Sequence, residues 1–218
     1  MLKTAFLKIS IALLPVAMII SCVQKKQAAL PYYNTPDFTP HFITGKQQAA
    51  KEITHTIASF SFTNQLGKMI SDASFEGHIH VANFMFTRCG SICPVMMQHL
   101  RLVDSAFKNN PVVQLVSFSV TPWLDSVPVL KKYAANNHID ATNWQLLTGN
   151  KGDIYKLARQ SYFAEEDLGF TRDSTEFLHT EHILLIDKTK RIRGIYNGTL
   201  QLETEQLIAD IKTLLEEK

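Results

Sequence analysis

The chain has 218 residues, of which 45% are hydrophobic, and its 22 basic and 20 acidic residues leave a net charge of +2. A chain of this length and composition can bury a hydrophobic core unaided, so its three cysteines do not indicate a small disulfide-stapled domain. The nearly balanced charge offers no basic face for a nucleic acid. We therefore expect one globular domain with appendages.

The first 22 residues have the pattern of a bacterial lipoprotein signal. An apolar run over 9–20 follows two lysines, is short for a membrane span, and leads into Ile19-Ile20-Ser21-Cys22. This ending resembles the lipobox, in which a small residue precedes a cysteine that is diacylated and becomes the new N-terminus. We expect Cys22 to be the lipidation site, holding the protein on a membrane of the cell envelope and facing the periplasm. The alternatives are an uncleaved anchor and a signal whose cysteine is incidental.

Residues 23–50 are predicted to form a polar tether between this signal and the domain, because the segment is polar and contains Pro31, Pro36 and Pro40. Its aromatic part, 31–38, docks either on the domain or on a partner, and the sequence does not decide between them. The globular domain is predicted to cover 51–218.

From residue 53 onwards, strand and helix patterns alternate. In chain order the predicted elements are strands at 57–62 and 77–86, a helix beginning near Pro94, a strand at 112–120, a helix at 125–136, a strand at 144–147, a helix around 154–158, a hairpin at 183–186 and 192–196, and a helix at 202–215. The acidic stretch 164–177 is predicted to be an exposed excursion. This order predicts an α/β fold of thioredoxin type: a mixed central sheet flanked by helices on both faces, with a loop or hairpin insertion.

Cys89 and Cys93 follow the 77–86 strand, at the point where the next helix begins. Open α/β sheets carry their sites at the carboxyl ends of strands, and a helix N-terminus lowers the pKa of a thiol, so we expect both cysteines to be partly thiolate. Three residues separate the two cysteines, which lets both sulfurs converge on one ion, whereas a thioredoxin-type redox pair has two intervening residues. Thiolates select soft ions such as Cu(I), or zinc at the borderline.

A third ligand must come from elsewhere in the chain, and the sequence contains eight histidines. Two of them, His179 and His182, immediately precede the 183–186 strand, where the chain can return to the cysteines. Four others are expected to be solvated, at the core edge, on a helix surface or in a loop: His78, His80, His99 and His138. The pattern of cysteines and histidines therefore favours ligation from the 179–182 segment.

Several other residues near the cysteines have two possible roles. Arg88 either favours the thiolate form of Cys89 or meets an acidic partner, although an exposed loop arginine needs neither role. Trp123 and Leu124 form either an exposed docking patch or a cover for the end of the sheet. The methionines of this region are expected to pack in the core rather than to bind metal: Met85, Met96 and Met97.

The segment Phe86-Thr-Arg-Cys89-Gly-Ser-Ile-Cys93-Pro94 resembles the FTxCPxxCP signature of the Sco/SenC copper-chaperone family. The segment His179-Thr-Glu-His-Ile-Leu-Leu-Ile-Asp187 is similar to the second signature of that family, and its register selects His179 over His182. The likeness covers roughly residues 53–215. It implies one copper ion per domain, Cu(I) or Cu(II), held by the two cysteines and the histidine.

The same resemblance implies a role in building the copper A centre of cytochrome c oxidase. The expected partners are the oxidase subunit that carries this centre, together with other copper chaperones or thioredoxin-like reductants.

The sequence departs from the family pattern at three positions. Gly90 stands where the family usually has proline, Thr121 replaces the first aspartate of a VDPxxDTP motif, and Leu178 replaces an aspartate just before the histidine. The imidazole must therefore be oriented by another group. The candidates for supporting or docking roles are Arg88, Asp125 and His182.

A thiol-disulfide reductase is the alternative function. In that case Cys89 and Cys93 are catalytic: one attacks a disulfide of a partner protein and the other resolves the mixed disulfide. The spacing of the cysteines and the presence of His179 favour the copper chaperone, and whether the protein is also an enzyme stays open.

Overall fold

Nine strands form a single mixed sheet in the computed structural model, which describes residues 29–164 and 180–217. The strands are β1 (Tyr32–Tyr33), β2 (Pro40–His41), β3 (Ser61–Asn64), β4 (Met69–Ser71), β5 (Ile79–Met85), β6 (Val113–Ser119), β7 (Trp144–Thr148), β8 (His182–Ile186) and β9 (Ile192–Asn197). The helices are α1 (Lys46–Glu52), α2 (Ile92–Phe107), α3 (Val127–Asn136), α4 (Lys151–Gln160) and α5 (Gln201–Glu216), and a short 3-10 helix covers Asp72–Phe75.

The strand order is β2-β1-β9-β8-β5-β6-β7-β3-β4. The three central strands β5, β6 and β7 are parallel and are joined through α2 and α3, as parallel neighbours require a crossover. The hairpin β8–β9 is antiparallel to β5, and α5 follows it. The predicted thioredoxin-type fold, a mixed sheet between two layers of helices, is confirmed.

Hydrophobic clusters cover both faces of the sheet. In β5, Ile79 and Val81 point into a cluster with α2, α3 and α5, whereas Ala82 and Phe84 point into an aromatic cluster with α4. Every residue of β5 is buried, as expected for a central strand with both faces covered. Packing of the nearby methionines in the core is also confirmed, because each is only 1% exposed: Met85, Met96 and Met97.

The carboxyl end of β5 defines one end of the molecule, which we call the cysteine end because Cys89 and Cys93 follow it. The register of β5 against β8 pairs Asn83 with Ile183, and the register of β8 against β9 pairs His182 with Asn197. The cysteine end therefore also contains the start of β8, the end of β9 and the beginnings of α2 and α5. The tertiary fold brings the 180–182 segment to the same end of the sheet as the cysteines.

The N-terminal segment packs against the domain over its described part, which differs from the predicted tether at 23–50. Strand β1 pairs with β9 through Tyr33 and Ile192, and β2 pairs with β1 and forms the edge of the sheet. Leu30 joins the core cluster that contains Met96, and Tyr32 packs with Ala49 of α1. Of the two alternatives for the aromatic part, the structure therefore shows docking on the domain itself. The predicted domain start at residue 51 stays a prediction.

Arg193 fastens this N-terminal segment to the sheet. Its side chain is 2% exposed; Nε donates to the carbonyl of Pro31 at 3.0 Å and Nη2 donates to the carbonyl of Leu30 at 2.9 Å. The guanidinium stacks 3.9 Å from the ring centre of Tyr32 and forms a bidentate pair with Glu217 at 2.8 and 2.9 Å. A buried planar cation with this many partners holds the segment in one register.

Other boundaries differ more modestly from the predictions. The first domain strand begins at Ser61 rather than at residue 57, and its hairpin partner β4 has no counterpart among the predicted elements. Helix α3 begins at Val127, so Asp125 precedes the helix instead of opening it. The predicted excursion at 164–177 lies outside the described residues, apart from Ala164, which is buried. Within the described ranges, no helix combines the length and hydrophobicity that a membrane span needs.

Replacing Arg193 by methionine should lower the free energy of unfolding by about 3 kcal/mol. The substitution removes the buried cationic partner of Glu217 and Asp187, and it leaves the carbonyls of Leu30 and Pro31 without their hydrogen-bond donor. The β1–β2 segment should also become sensitive to limited proteolysis. Urea denaturation and mass mapping of the cleavage sites measure both effects.

The matched control is Lys190→Met, which removes the 2.6 Å ion pair with Asp72, a pair whose side chains are 26% and 16% exposed. We expect it to cost about 1 kcal/mol at most and to leave the N-terminal segment protected. Equal effects of the two substitutions would contradict the fastening role of Arg193.

Candidate metal and thiol site

Cys89 and Cys93 lie on the turn between β5 and α2. Both are free thiols; Cys89 is half-buried and Cys93 is 4% exposed. The backbone amide of Cys93 donates to Sγ of Cys89 at 3.4 Å, so the first sulfur faces the open amides at the beginning of α2. This placement follows from the sequence, because α2 begins at Ile92 and its first N–H groups have no carbonyl partner within the helix.

The two thiols have opposite protonation tendencies. Burial by itself raises the pKa of Cys89, but hydrogen bonds from the Cys93 thiol and from the amides of Cys93, Ser91 and Ile92 outweigh it, so the pKa of Cys89 is lowered. Burial, followed by the hydrogen bond that it donates to Cys89, raises the pKa of Cys93 to about 12. The expectation of two partly ionised thiols is therefore wrong for Cys93, because one buried thiol cannot ionise beside a thiolate that it stabilises.

The pair can perform two kinds of chemistry. A thiolate at Cys89, partly open to solvent, is a nucleophile, and the buried thiol of Cys93 beside it stays protonated. Alternatively, a soft metal ion that binds both sulfurs displaces the proton of Cys93, because a ligating thiol is deprotonated. Two sulfurs on one turn suit the donor preference of copper.

The third predicted ligand, His179, lies outside the described residues. Within residues 29–164 and 180–217, no three side chains of the His, Cys, Asp or Glu type come together as a metal site. The residue after His179 is nevertheless well held: Thr180 is 8% exposed, and its hydroxyl accepts from the amide of His182 at 3.1 Å. Thr180 therefore lies, held in place, at the cysteine end of the sheet, and ligation by His179 stays a prediction.

His182, a candidate for a supporting role, begins β8. Its ring stands edge-on to Phe38 with centroids 5.7 Å apart, and its Nδ1 is buried without a hydrogen-bond partner among the described residues. Its contact with the N-terminal segment links that segment to the start of β8. No hydrogen bond joins His182 to either cysteine in the described part of the chain.

Asp125 lies buried beneath the turn that carries Cys89 and Cys93, which we call the cysteine loop. Its carboxylate is 0% exposed and accepts hydrogen bonds from the hydroxyls of Thr87 at 2.6 Å, Ser119 at 2.6 Å and Thr121 at 2.9 Å. Thr87 also donates its amide at 3.3 Å. These bonds tie the residue two before Cys89 to the end of β6, and they place Asp125 in the support of the loop.

The roles of Thr87 and Ser119 have no counterpart among the sequence predictions, in which Thr121 is only the loss of a carboxylate. In the structure the hydroxyl of Thr121 donates to Asp125, whereas a second carboxylate at this buried position would need a proton to do so. The sequence signal for this network was the presence of hydroxyl residues at the ends of two predicted strands, close to one aspartate. Only the fold shows that they converge.

The remaining positions of this region are at the surface. Arg88 is exposed, and Trp123 and Leu124 are 57% and 37% exposed, so these two do not simply cover the sheet end. The ammonium of Lys151 lies 5.0 Å from the ring centre of Trp123. A Cβ atom added at Gly90 would meet no atom within 4 Å outside its chain neighbours, so this position has room for a first side-chain carbon.

Two histidines are more buried, and more firmly hydrogen-bonded, than the sequence predicts. His80 is 2% exposed and contacts the Tyr162 hydroxyl through Nε2 at 3.2 Å, and burial lowers its pKa to about 3. His99 is partly buried, and its Nδ1 lies 2.8 Å from the carbonyl oxygen of Gly198, which joins α2 to the segment before α5. Both are structural residues.

The comparisons with known proteins agree on one family. A family model described as SCO1/SenC matches residues 48–216. A SCO1/SenC family lipoprotein from Bacillus anthracis is 32% identical, with a TM-score of 0.66 over 75% of this chain and 97% of that one. BsSco, described as a member of the Sco family of cytochrome c oxidase assembly proteins in which a disulfide switch was identified, is 31% identical, with a TM-score of 0.64 over 75% and 95%. Copper-bound ScoI of Bradyrhizobium japonicum is 26% identical, with a TM-score of 0.58 over 73% and 99%.

Alkylation of the reduced, metal-free protein should occur first at Cys89, with a rate that rises at a lower pH than for an ordinary thiol. The reason is that a lowered pKa makes the reactive thiolate available at lower pH, whereas Cys93 keeps its proton through the neutral range. Iodoacetamide labelling from pH 5 to 10, read by mass spectrometry of each cysteine peptide, measures the two profiles separately.

The control pair is Cys93→Ser and Cys93→Ala. Serine keeps a hydroxyl donor to Cys89, so its profile should stay near that of the wild type, whereas alanine should shift the Cys89 profile to higher pH. Identical profiles for both variants would contradict the hydrogen bond between the two side chains.

Proposed function

Because the chain belongs to the SCO1/SenC family, we propose that it binds one copper ion through Cys89, Cys93 and His179 and helps to assemble the copper A centre of cytochrome c oxidase. The observation that carries this proposal is the pair of free thiols on one turn at the start of α2. Copper is the cargo in this function, held as Cu(I) or Cu(II) and passed on by ligand exchange to the oxidase subunit.

The environment of the two sulfurs supports reversible binding. Cys89 offers a stabilised thiolate near the surface, whereas Cys93 must lose a proton that burial and Cys89 both retain. Metal release is then assisted, because the buried thiol recovers its proton as the ion leaves. The copper-bound state of the Bradyrhizobium protein supports copper as the ion.

The third ligand, on this proposal, comes from the segment just before β8. Thr180 is held at the cysteine end, and register brings the start of β8 beside the end of β5. An imidazole donor beside two thiolates completes a site for copper in either oxidation state. With Leu178 in place of the family carboxylate, His182 is the candidate for orienting the ligand, and Arg88 and Asp125 support the loop from outside and beneath.

We further propose that the protein is attached to a membrane of the bacterial envelope through acylated Cys22 and faces the periplasm, with 51–218 as the domain. The lipobox pattern supports this, and so does the description of the Bacillus anthracis relative as a lipoprotein. Two acyl chains give stable attachment, where one gives only marginal binding.

The wild-type protein should bind about one equivalent of copper, with thiolate-to-copper charge-transfer absorption in the Cu(II) form. Cys89→Ser/Cys93→Ser should abolish this absorption, and His179→Ala should weaken Cu(II) binding by roughly tenfold or more, as the loss of a ligand does. Anaerobic titration with metal analysis and absorption spectroscopy measures both.

His182→Ala is the matched comparison: it removes an imidazole that is proposed to orient the ligand but not to bind the ion, so it should keep the stoichiometry and the absorption and weaken Cu(II) binding less than His179→Ala does. If His182→Ala and not His179→Ala lost Cu(II), the ligand assignment would be wrong. Unchanged copper binding by the double cysteine variant would exclude the proposed site.

A thiol-disulfide reductase is the second candidate, favoured by the opposite pKa shifts of the two cysteines. The Cys89 thiolate attacks a disulfide of the partner, forming a mixed disulfide and releasing one partner thiolate. Cys93 then loses its proton, attacks Sγ of Cys89 and releases the second partner thiolate. The partner is reduced by two electrons and the Cys89–Cys93 pair becomes a disulfide.

This second function predicts that Cys93→Ser accumulates a mixed disulfide with an oxidised copper A domain, because the resolving thiol is gone. Cys89→Ser should accumulate none, since the nucleophile is missing. Non-reducing electrophoresis with mass spectrometry measures the adduct. Adducts at Cys93 in the Cys89→Ser variant, at an equal rate, would contradict the assigned order of attack.

A further inference from the structure

Exposed apolar side chains are concentrated at the cysteine end. Of the nine large hydrophobic residues that are exposed in the described part of the chain, five belong to segments at this end: Val95 at 40%, Trp123 at 57%, Leu124 at 37%, Leu200 at 51% and Leu202 at 79%. They come from the starts of α2 and α5 and from the loop after β6. Such a concentration of apolar surface at one end of a monomer marks an interaction site.

These side chains surround the cysteine loop. Val95 follows Cys93 by two residues, and the bond between His99 and Gly198 brings the first turns of α2 against the segment that carries Leu200. Trp123 and Leu124 lie on the other side of the loop, after β6. We call these five exposed side chains the apolar rim. The strands β9, β8, β5 and β6 are consecutive neighbours, so at ~4.8 Å per strand the apolar rim spans roughly 15 Å.

The N-terminal segment enters the domain at this same end. Strand β1 is antiparallel to β9 with Tyr33 opposite Ile192, so the chain preceding Tyr32 runs towards the end of β9. Ala29 accordingly lines a surface groove with Tyr196 and with Gln206 of α5. Arg193 holds Leu30 and Pro31 in place, so the point of entry is fixed relative to the cysteines.

Six residues lie between Cys22 and Ala29. Seven steps of about 3.5 Å reach at most ~25 Å, which is less than the predicted tether of 23–50 would allow. A lipid anchor on Cys22 therefore keeps the cysteine end close to the bilayer and leaves the opposite end away from it. Phe42, which is 73% exposed, lines the same groove as Ala29 and adds apolar surface beside the point of entry.

We propose that the cysteine end rests on the lipid surface of the membrane that holds the anchor, with Trp123, Leu200 and Leu202 entering the interfacial layer. This inference rests on the lipid anchor of the proposed function. A tryptophan ring with a lysine ammonium 5.0 Å away is suited to the boundary between acyl chains and headgroups. The orientation places Cys89 at headgroup height, facing recipients that are embedded in the same membrane.

The chain contains its own reporter for this contact, because it has two tryptophans and only one of them is at the cysteine end. Trp144 is 0% exposed and lies at the beginning of β7, at the other end of the sheet. The full lipoprotein, reconstituted in vesicles of phosphatidylglycerol and phosphatidylethanolamine with brominated acyl chains, should lose the emission of Trp123. Trp123→Phe should show no loss of its remaining emission.

Two further variants separate the cysteine end from non-specific contact. Leu200→Ser/Leu202→Ser should reduce the quenching, whereas Leu66→Ser should not, since Leu66 is also 50% exposed but lies next to Gln65, which bonds to the backbone at the start of β7. Equal reduction by both variants would overturn the assignment of the contact to this end.

Two failures are distinguishable. Vesicle-attached wild-type protein whose emission is unaffected by brominated lipid would overturn the orientation alone and would assign the apolar rim to a protein partner. Protein that does not float with vesicles and carries no acyl group on Cys22 would remove the proposed anchor, and with it this orientation.

Discussion

The site depends on the hydrogen bonding of one sulfur at the beginning of α2. Sγ of Cys89 faces the amides of the first helical turn, and the thiol of Cys93 stands behind it as a further donor. A thiolate in this position is stabilised by backbone amides and a thiol donor at the start of a helix. The same arrangement forces the two cysteines to differ, because stabilising the charge on one sulfur requires the other to keep its proton. The proposed metal binding and the proposed disulfide exchange would both begin from this asymmetry.

The scaffold holds the cysteine loop from beneath. The carboxyl group of Asp125 accepts hydrogen bonds from Thr87 before the cysteines, from Ser119 at the end of β6 and from Thr121 after it, so that two parallel strands end on one buried side chain. A carboxylate at a fully buried position is tolerated only because several donors replace its water shell. Parallel pairing of β5 and β6 brings these donors together, since their carboxyl ends share one edge of the sheet.

The N-terminal segment fixes where the chain enters the domain relative to the cysteines. Pairing of β1 with β9 closes part of an exposed sheet edge, and Arg193 secures the pairing from a buried position. The described part of the chain therefore enters the domain at the cysteine end. A long loose tether would let the site sample any orientation, whereas a docked segment restricts it. With the proposed anchor on Cys22, docking of this segment would therefore restrict how partners reach the site.

The sequence by itself determined the alternation of strands and helices from 77 to 215, the cysteine pair with its helix start, and the family signatures, because these depend on residues close in the chain. The N-terminal segment was predicted as a tether, since its two short strands carry no periodic pattern and gain order from contacts with residues far along the chain, such as the bond of Leu30 with Arg193, 163 residues later. The protonation of Cys93 and the hydroxyl cluster around Asp125 were likewise decided by the tertiary structure. Burial and hydrogen-bond partners set a pKa, and both come from residues that only the fold brings together.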